Sequence, residues 1–225
     1  MLEFVAQFFR SGGPVMWVIL AVLAAAVAVI VERLHFYLMS CRGDADLLVT
    51  DVVGKLNAND YKGARVVASS QKSPAGAIID QAVTRYNGGH GLAEVRRGVE
   101  EVAIREVPRY GRRIGYLAML ANIATLTGLL GTIFGLQRSF SSLAVVEAAE
   151  KASVLADGIS QAMNTTAFGL IVAIPCMIAY TRLSSMQARK TEECDAAAVK
   201  LMNYFESRQE ARDLSHTNII DRAAV

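Results

Sequence analysis

Three long stretches of this chain contain no Asp, Glu, Lys or Arg. They cover residues 11–31, 114–137 and 158–181, which are 21, 24 and 24 residues long. A helix rises ~1.5 Å per residue and the hydrocarbon core of a bilayer is ~30 Å thick, so roughly 20 apolar residues span it. The missing charge therefore predicts three transmembrane helices. It argues against a soluble domain, because three buried helices of this length would leave too little amphipathic surface in a chain of 225 residues.

Cysteine and histidine are also scarce, with three residues of each. One cysteine lies inside the third uncharged stretch and two lie outside the stretches. This distribution does not form a disulfide framework, so Cys41, Cys176 and Cys194 are expected to be free thiols. No histidine has a second ligand at the spacing of a metal site. We therefore expect no metal, no other cofactor and no catalytic residue, and the chain is not expected to be an enzyme.

The first uncharged stretch is expected to be a retained span. A signal peptide combines a basic region, a short apolar run and a small-residue cleavage site. Here Glu3 precedes any basic residue, and the run ends in Glu32-Arg33 without a cleavage sequence. The apolar residues before Pro14 are expected to lie along the membrane interface.

Basic residues flank the uncharged stretches unevenly, which sets the expected orientation. Thirteen Lys and Arg occur in 32–113, whereas the segment between the second and third stretches has only Arg138 and Lys151. The positive-inside rule then places the amino terminus outside and the carboxyl terminus in the cytoplasm. The predicted segments are an interfacial stretch on the periplasmic side (1–13), a first span (14–31), a cytoplasmic helical domain (32–113), a second span (114–138), a periplasmic loop (139–157), a third span (158–181) and a cytoplasmic helix and tail (182–225).

The segment 32–113 is expected to form a small bundle of helices. Turn signals at Gly43, 57–60, Ser73-Pro74 and 87–89 separate stretches that are compatible with helix. After the third span, 182–212 contains no Gly or Pro, so the third helix is expected to continue far into the cytoplasm. A helix leading toward the second span is expected from the 3.6-residue period of Leu92, Val95, Val99 and Val102, with a kink at Pro108.

Glycines in the second and third spans predict close helix packing. Gly131 and Gly135 have the small-xxx-small spacing that lets helix backbones approach in lipid, and Gly128 extends the same set. Gly169 and Pro175 in the third span are assigned to packing as well. We expect the glycine face of the second span to form the interface between subunits.

Polar residues in the second and third spans predict a path for ions. Thr125, Thr132 and Ser139 fall within about 40° of each other on one helix face, with Asn122 about 60° to one side. Their hydroxyls could instead bond to their own backbone. In the third span a lipid-facing amide would be costly, so its polar residues should face protein or water. These residues are Gln161, Asn164, Thr165 and Thr166.

No Asp, Glu, Lys, Arg or His lies inside any of the three stretches. Proton carriers in membranes rely on such residues, so this chain can line a path while a partner must supply the titratable group. Five motifs around and inside the stretches occur in this order: Gly12-Gly13-Pro14-Val15-Met16-Trp17, Glu32-Arg33-Leu34, the run from Thr127 to Gly135, the run from Gly158 to Met163 and the run from Thr166 to Pro175. With these motifs the sequence resembles the MotA/TolQ/ExbB family of proton-channel subunits. The resemblance is closer to the ExbB/TolQ branch than to flagellar MotA, which has an additional span.

The resemblance implies an all-α membrane protein with three transmembrane helices and long cytoplasmic helical extensions. It would assemble in the bacterial inner membrane as a pentamer around a central pore. Two ExbD/TolR-like single-span partners would lie in that pore, and their membrane Asp would carry the proton. Further partners would be a TonB/TolA-like or motility protein and membrane lipids, and no nucleic acid is expected.

Two threonines match family positions directly. Thr132 stands in the Gly-Thr-Val-type segment and Thr166 before the Gly-Leu-Val-Ala-Ile-Pro-type segment, whereas Gln161 stands where the family often has Glu. The loss of that Glu leaves the choice between proton and sodium open. The expected pore-lining set is Thr132, Thr166, Thr165, Gln161, Thr125 and Asn122.

The expected function is that of a stator subunit that converts proton flow into mechanical work on the cell envelope. TonB-type uptake, Tol-Pal maintenance and gliding would all use the same core, and the sequence does not choose among them. A structural membrane scaffold is the alternative, supported by the glycine motifs and the missing acid. A small-molecule transporter ranks last, because the chain has no charged residue inside the spans and no inverted repeat.

Overall fold

The computed structural model describes residues 12–40 and 43–223, and this part of the chain forms eight α-helices and no strand. The predicted interfacial stretch lies outside the described residues except for Gly12 and Gly13. The helices are α1 (Val15–Ser40), α2 (Ala45–Asn57), α3 (Tyr61–Ser70), α4 (Pro74–Asn87), α5 (Leu92–Glu106), α6 (Pro108–Gly111), α7 (Gly115–Ser142) and α8 (Lys151–Ala223).

Three stretches of helix are long and apolar enough to cross a membrane. They fall within Val15–Met39, Leu92–Ser142 and Lys151–Arg212. The second and third contain the stretches 114–137 and 158–181, and the first overlaps most of 11–31, so the expectation of three candidate spans is confirmed. The chain is a multi-pass membrane protein.

The described residues divide into two compact units. The first, called here the membrane unit, consists of 12–34 and 113–184 and holds the three uncharged stretches. Its α1 buries Met16, Ile19 and Ala26 on one face while Trp17 and Val31 are exposed. An exposed apolar side chain is suited to contact with lipid, so this distribution fits a helix packed on one side only.

The helices of the membrane unit extend past the uncharged stretches. The loop predicted for 139–157 is shorter in the structure, covering 143–150, because α7 continues to Ser142 and α8 begins at Lys151. Charged residues are tolerated in these added turns because a helix beyond the hydrocarbon core is exposed to water. The predicted helical continuation after the third span is present, since α8 runs without interruption to Ala223.

The second unit consists of the described residues of 35–112 and of 185–223, and holds α2 to α6. Three of its helices begin after side chains that cap the free backbone N–H groups: Asp44 before α2, Asp60 before α3 and Ser73 before α4. In α5, Val95 and Val102 lie on the buried side. The core of this unit includes the stacked rings of Tyr86 and Phe205, whose centroids are 4.1 Å apart. Among the described cysteines, Cys176 and Cys194 are free and buried.

Candidate functional site

The site is built on the close contact between α7 and α8 in the membrane unit. A Cβ added to Gly169 of α8 would lie 2.7 Å from the carbonyl oxygen of Ala124, and one added to Gly128 of α7 would lie 3.3 Å from Cα of Thr166. The contact at Gly169 leaves no room for a side chain, and the contact at Gly128 is tight for one. They explain why small residues occupy the buried face of α7, which consists of Leu117, Ala121, Ala124, Gly128, Gly131, Gly135 and Ser139.

The same face continues toward the end of α7. A Cβ on Gly131 would lie 2.2 Å from Cγ2 of Thr165, and one on Gly135 would lie 3.1 Å from the amide nitrogen of Ala162. Residues later in α7 thus meet residues earlier in α8, so the two helices run antiparallel. This corrects the expectation that the glycine face forms the interface between subunits, because α8 of the same chain already occupies it. Pro175 is exposed inside α8 and takes no part in this packing.

Three of the predicted pathway threonines lie on one side of the α7/α8 pair. Gly131 and Thr165 contact each other, and Thr132 and Thr166 are the residues that follow them. Because the helices are antiparallel, these next residues turn toward the same side of the pair. Thr125 lies two turns before Thr132, within about 20° of it around α7. We call Thr125, Thr132 and Thr166 the threonine side.

The hydroxyls of the threonine side all donate to backbone carbonyl oxygens. Thr166 donates to Gly128 across the helix pair at 3.2 Å, while Thr132 donates to Leu129 at 2.6 Å and Thr125 to Ala121 at 3.1 Å. A hydroxyl has one hydrogen but two lone pairs, so each oxygen can still accept a hydrogen bond. In this conformation the threonine side offers acceptors, and it offers donors only when a hydroxyl rotates.

Thr165 has a different environment from Thr166, and its expected pore-lining role is corrected. Its side chain is completely buried, and its hydroxyl lies 2.7 Å from the carbonyl oxygen of Gln161 and 3.3 Å from that of Gly12. A residue enclosed by α7, its own helix and the turn before α1 cannot line a water-filled path. Thr165 is a packing residue of the membrane unit.

Gln161 also lies away from the threonine side. It is about 140° from Thr166 around α8. Its amide faces the turn before α1, because a Cβ on Gly13 would lie 2.3 Å from Nε2 of Gln161. The structure therefore brings Gln161 together with Thr165 and not with Thr132 or Thr166. Asn122 is exposed on α7, about 60° from Thr125.

Sequence reasoning missed an ionic cluster where α1 leaves the uncharged stretch. Glu32 accepts from Arg33 at 2.7 Å and pairs with Arg113 at 2.7 Å. The Arg33 side chain is only 5% exposed, so its charge is largely removed from water. The sequence signal is the pair Glu32-Arg33, which directly follows the first uncharged stretch. The cluster joins the end of the first span to the residue before the second.

The hydroxyl groups of the site could not hold a metal by themselves. No cluster of three or more His, Cys, Asp or Glu suited to a metal ion occurs in the part of the chain that the structure describes. The uncharged stretches also hold no titratable carboxyl or amine. The site can therefore hydrogen-bond a protonatable group or water that comes from elsewhere, and it cannot carry a charge of its own.

Comparison with known proteins assigns these helices to a family. Residues 70–196 match the model of the MotA/TolQ/ExbB proton channel family. The chain is 29% identical over 184 residues to a biopolymer transport protein ExbB homolog of Methanothermobacter thermautotrophicus, covering 80% of this chain and 63% of that protein. It is 30% identical over 181 residues to biopolymer transport protein ExbB-like 3 of Synechocystis, covering 80% and 85%.

A third relative comes from the Tol-Pal system. TolQ of Pseudomonas aeruginosa is 38% identical over 91 residues, which is 40% of this chain and 39% of that protein. The chain thus spans less than two thirds of the length of two of these three relatives.

Proposed function

This chain belongs to the MotA/TolQ/ExbB proton channel family, in its ExbB/TolQ branch, and we propose that it is the stator subunit of a proton-driven motor in the inner membrane. In this proposal proton flow through the assembly is converted into mechanical work on the cell envelope. The relatives are named for biopolymer transport and for the Tol-Pal system.

The observation that carries the proposal is the threonine side of the α7/α8 pair. Thr125, Thr132 and Thr166 give an otherwise apolar helix pair a row of hydroxyl oxygens, and no charged residue competes with them inside the spans. Their hydrogens are held by backbone carbonyl oxygens, as an isolated helix pair also allows, but each hydroxyl oxygen keeps a lone pair that water or a polar partner can use. We assign the path to this side.

A membrane Asp from an ExbD/TolR-like single-span partner would supply the titratable group. In its protonated form this carboxyl donates one hydrogen bond, which the oxygens of Thr132 and Thr166 can accept without rearrangement. In its ionised form it needs donors, because an unpartnered charge in an apolar channel is strongly destabilised. Rotation of the hydroxyls away from the backbone carbonyls would provide those donors.

The proposal includes a specific assembly and orientation in the membrane. Five copies of the chain would surround two partner helices, with the threonine side of each copy toward the centre. The amino terminus would be periplasmic and the second unit cytoplasmic, as the basic flanks of the spans favour. Gln161, Thr165 and the glycines would stabilise each copy, while a TonB/TolA-like or motility protein would receive the work.

Proton flux into liposomes tests the proposal. The chain is reconstituted together with an ExbD/TolR-like single-span protein that bears a membrane Asp, a membrane potential is imposed, and an internal pH dye reports flux. We expect flux with the partner and none with the partner's membrane Asp replaced by Asn. The double variant T132V/T166V keeps side-chain volume and removes both hydroxyls, so it should assemble and conduct poorly.

Thr127→Val is the matched control for this experiment. Thr127 lies on the same helix, about 140° from Thr132, so its replacement should leave flux unchanged. Native mass spectrometry of each variant confirms that assembly is intact. Wild-type flux in the double variant would overturn the proposed path, and a complex without flux under any condition would favour the structural scaffold.

A further inference from the structure

A polar cleft opens where α7 ends and α8 begins. Its accessible volume is about 460 Å³, within the usual size range of small-molecule sites. Arg138 and Ser142 line it from α7, and Asp157 and Gln161 line it from α8. Ser139 is also in the lining, and its hydroxyl is held by the carbonyl oxygen of Val154 at 3.3 Å.

The cleft contains one charge of each sign, and neither is neutralised. Among the residues that the structure describes, Arg138 and Asp157 take part in no ion pair, either with each other or with a third residue. Two opposite charges that line one cleft without pairing leave room for a ligand between them. Such a ligand would carry an anionic group for the guanidinium and a cationic group for the carboxylate.

The position of the two charges identifies the surroundings of the cleft. Arg138 is the first charged residue after the uncharged stretch 114–137, and Asp157 is the last before 158–181. Both therefore stand at the boundary between the hydrocarbon core and the lipid headgroups. The most abundant molecules at that depth that join an anionic and a cationic group are zwitterionic phospholipids.

We propose that this cleft binds the headgroup of a phospholipid that carries a primary ammonium group, with its phosphate at Arg138 and its ammonium at Asp157. Planar guanidinium groups pair well with phosphate oxygens. A primary ammonium donates three hydrogen bonds, which Asp157 and the side-chain oxygen of Gln161 can accept. A quaternary ammonium has no hydrogen to donate, so the site should distinguish phosphatidylethanolamine from phosphatidylcholine.

The cleft is separate from the proposed proton path. Arg138 lies about 120° from Thr132 around α7, and Gln161 lies about 140° from Thr166 around α8. A lipid bound at the cleft would therefore contact the opposite side of the helix pair from the threonine side. The inference needs only the membrane location of these helices, so it stands or fails independently of proton conduction.

Native mass spectrometry of the full-length chain, purified and delipidated in detergent, tests the site. Phosphatidylethanolamine, phosphatidylcholine and phosphatidylglycerol with identical acyl chains are titrated separately. We expect phosphatidylethanolamine to bind about fivefold more tightly than phosphatidylcholine, as befits ion pairs that remain partly exposed. Lys151→Gln removes a basic residue of the same region that does not line the cleft, and it should change nothing.

The two charge variants give different expected patterns. Arg138→Gln should weaken binding of both phosphatidylethanolamine and phosphatidylglycerol, because each needs a partner for its phosphate. Asp157→Asn should weaken phosphatidylethanolamine alone and leave phosphatidylglycerol bound as before or more tightly. Thermal melting of each variant checks that the fold is intact. Equal binding of all three lipids, or no response of either variant, would overturn the site.

Discussion

The hydroxyl of Thr166 donates to the backbone carbonyl oxygen of Gly128, 3.2 Å away on the neighbouring helix. Gly128 is the position at which the two backbones approach closely, since a Cβ there would lie 3.3 Å from Cα of Thr166 itself. The glycine thus brings its carbonyl within reach of the threonine. Helix packing and the proposed path are consequently linked, because a change in the spacing between α7 and α8 would release or capture the hydroxyl of Thr166.

Thr165→Val should lower stability without changing proton flux. The substitution keeps the shape of a fully buried side chain and removes the hydroxyl that lies near Gln161 and Gly12, so we expect a loss of about 1 kcal/mol. Thr181→Val is the control, because Thr181 makes the same kind of bond to Met177 in an exposed position. Thermal melting in detergent and the liposome assay are read side by side. A stable Thr165→Val protein that no longer conducts would return Thr165 to the path.

Gly169→Ala should destabilise the membrane unit. The added methyl would lie 2.7 Å from the carbonyl oxygen of Ala124, and a backbone atom cannot move aside as the end of a flexible side chain can. We expect a cost of about 1–3 kcal/mol, typical of overpacking. Melting of the purified protein measures it.

Gly54→Ala is the matched control for Gly169→Ala. Gly54 lies inside α2 with open space around its Cβ position, so alanine should raise stability by about 0.5–1 kcal/mol through its better helix propensity. If both substitutions had the same effect on melting, close packing at Gly169 would not be the reason for its glycine.

The sequence predicted the spans well because the bilayer imposes a simple rule. Charge is costly in hydrocarbon, so its absence over 20 or more residues marks a span whatever the helices contact. The ends of the helices are harder to predict, because a helix can continue from the membrane into water without an energetic penalty. For this reason the predicted loop 139–157 contracts to 143–150 in the structure.

The sequence predicted only part of the candidate site, because it does not distinguish the roles of adjacent residues. Thr165 and Thr166 are adjacent in sequence but differ by about 100° around α8. Both are threonines, and their positions in the sequence are compatible with either one facing the proposed path. Thr165 is enclosed because it contacts Gly131 and Gly12. These contacts depend on how three helices are arranged, and a local sequence pattern does not encode that arrangement.

Glu32→Gln should destabilise the chain more than a comparable surface substitution. Glu32 is bonded to Arg33, whose side chain is 5% exposed, and to Arg113. Removing the carboxylate leaves the buried guanidinium without this counter-charge, which is costlier than losing an exposed pair. Glu94→Gln serves as control, because it neutralises an exposed carboxylate that contacts His90 and no buried guanidinium. Equal melting temperatures for the two variants would show that the cluster contributes little.

Tyr86→Phe should stabilise the second unit. The hydroxyl oxygen of Tyr86 is buried and has no hydrogen-bond partner in the described part of the chain, while its ring stacks on Phe205. Phenylalanine keeps the ring and removes the unsatisfied group, so we expect a gain of about 1 kcal/mol. Tyr204→Phe is the matched control with the opposite expected sign, because the Tyr204 hydroxyl donates to Asn57 at 2.8 Å.

The pH dependence of stability gives a second test of Tyr86. Burial raises the pKa of Tyr86 above its usual value of 10, so the folded state retains a proton that the unfolded chain releases. The wild type therefore keeps its full stability below about pH 10, and burial of this hydroxyl becomes costlier as the pH rises through the folded-state pKa. In melting curves recorded between pH 8 and pH 11, about the range in which tyrosine begins to ionise, Tyr86→Phe should lose less stability than the wild type. Parallel curves for the two proteins would mean that the Tyr86 hydroxyl reaches water in the folded state.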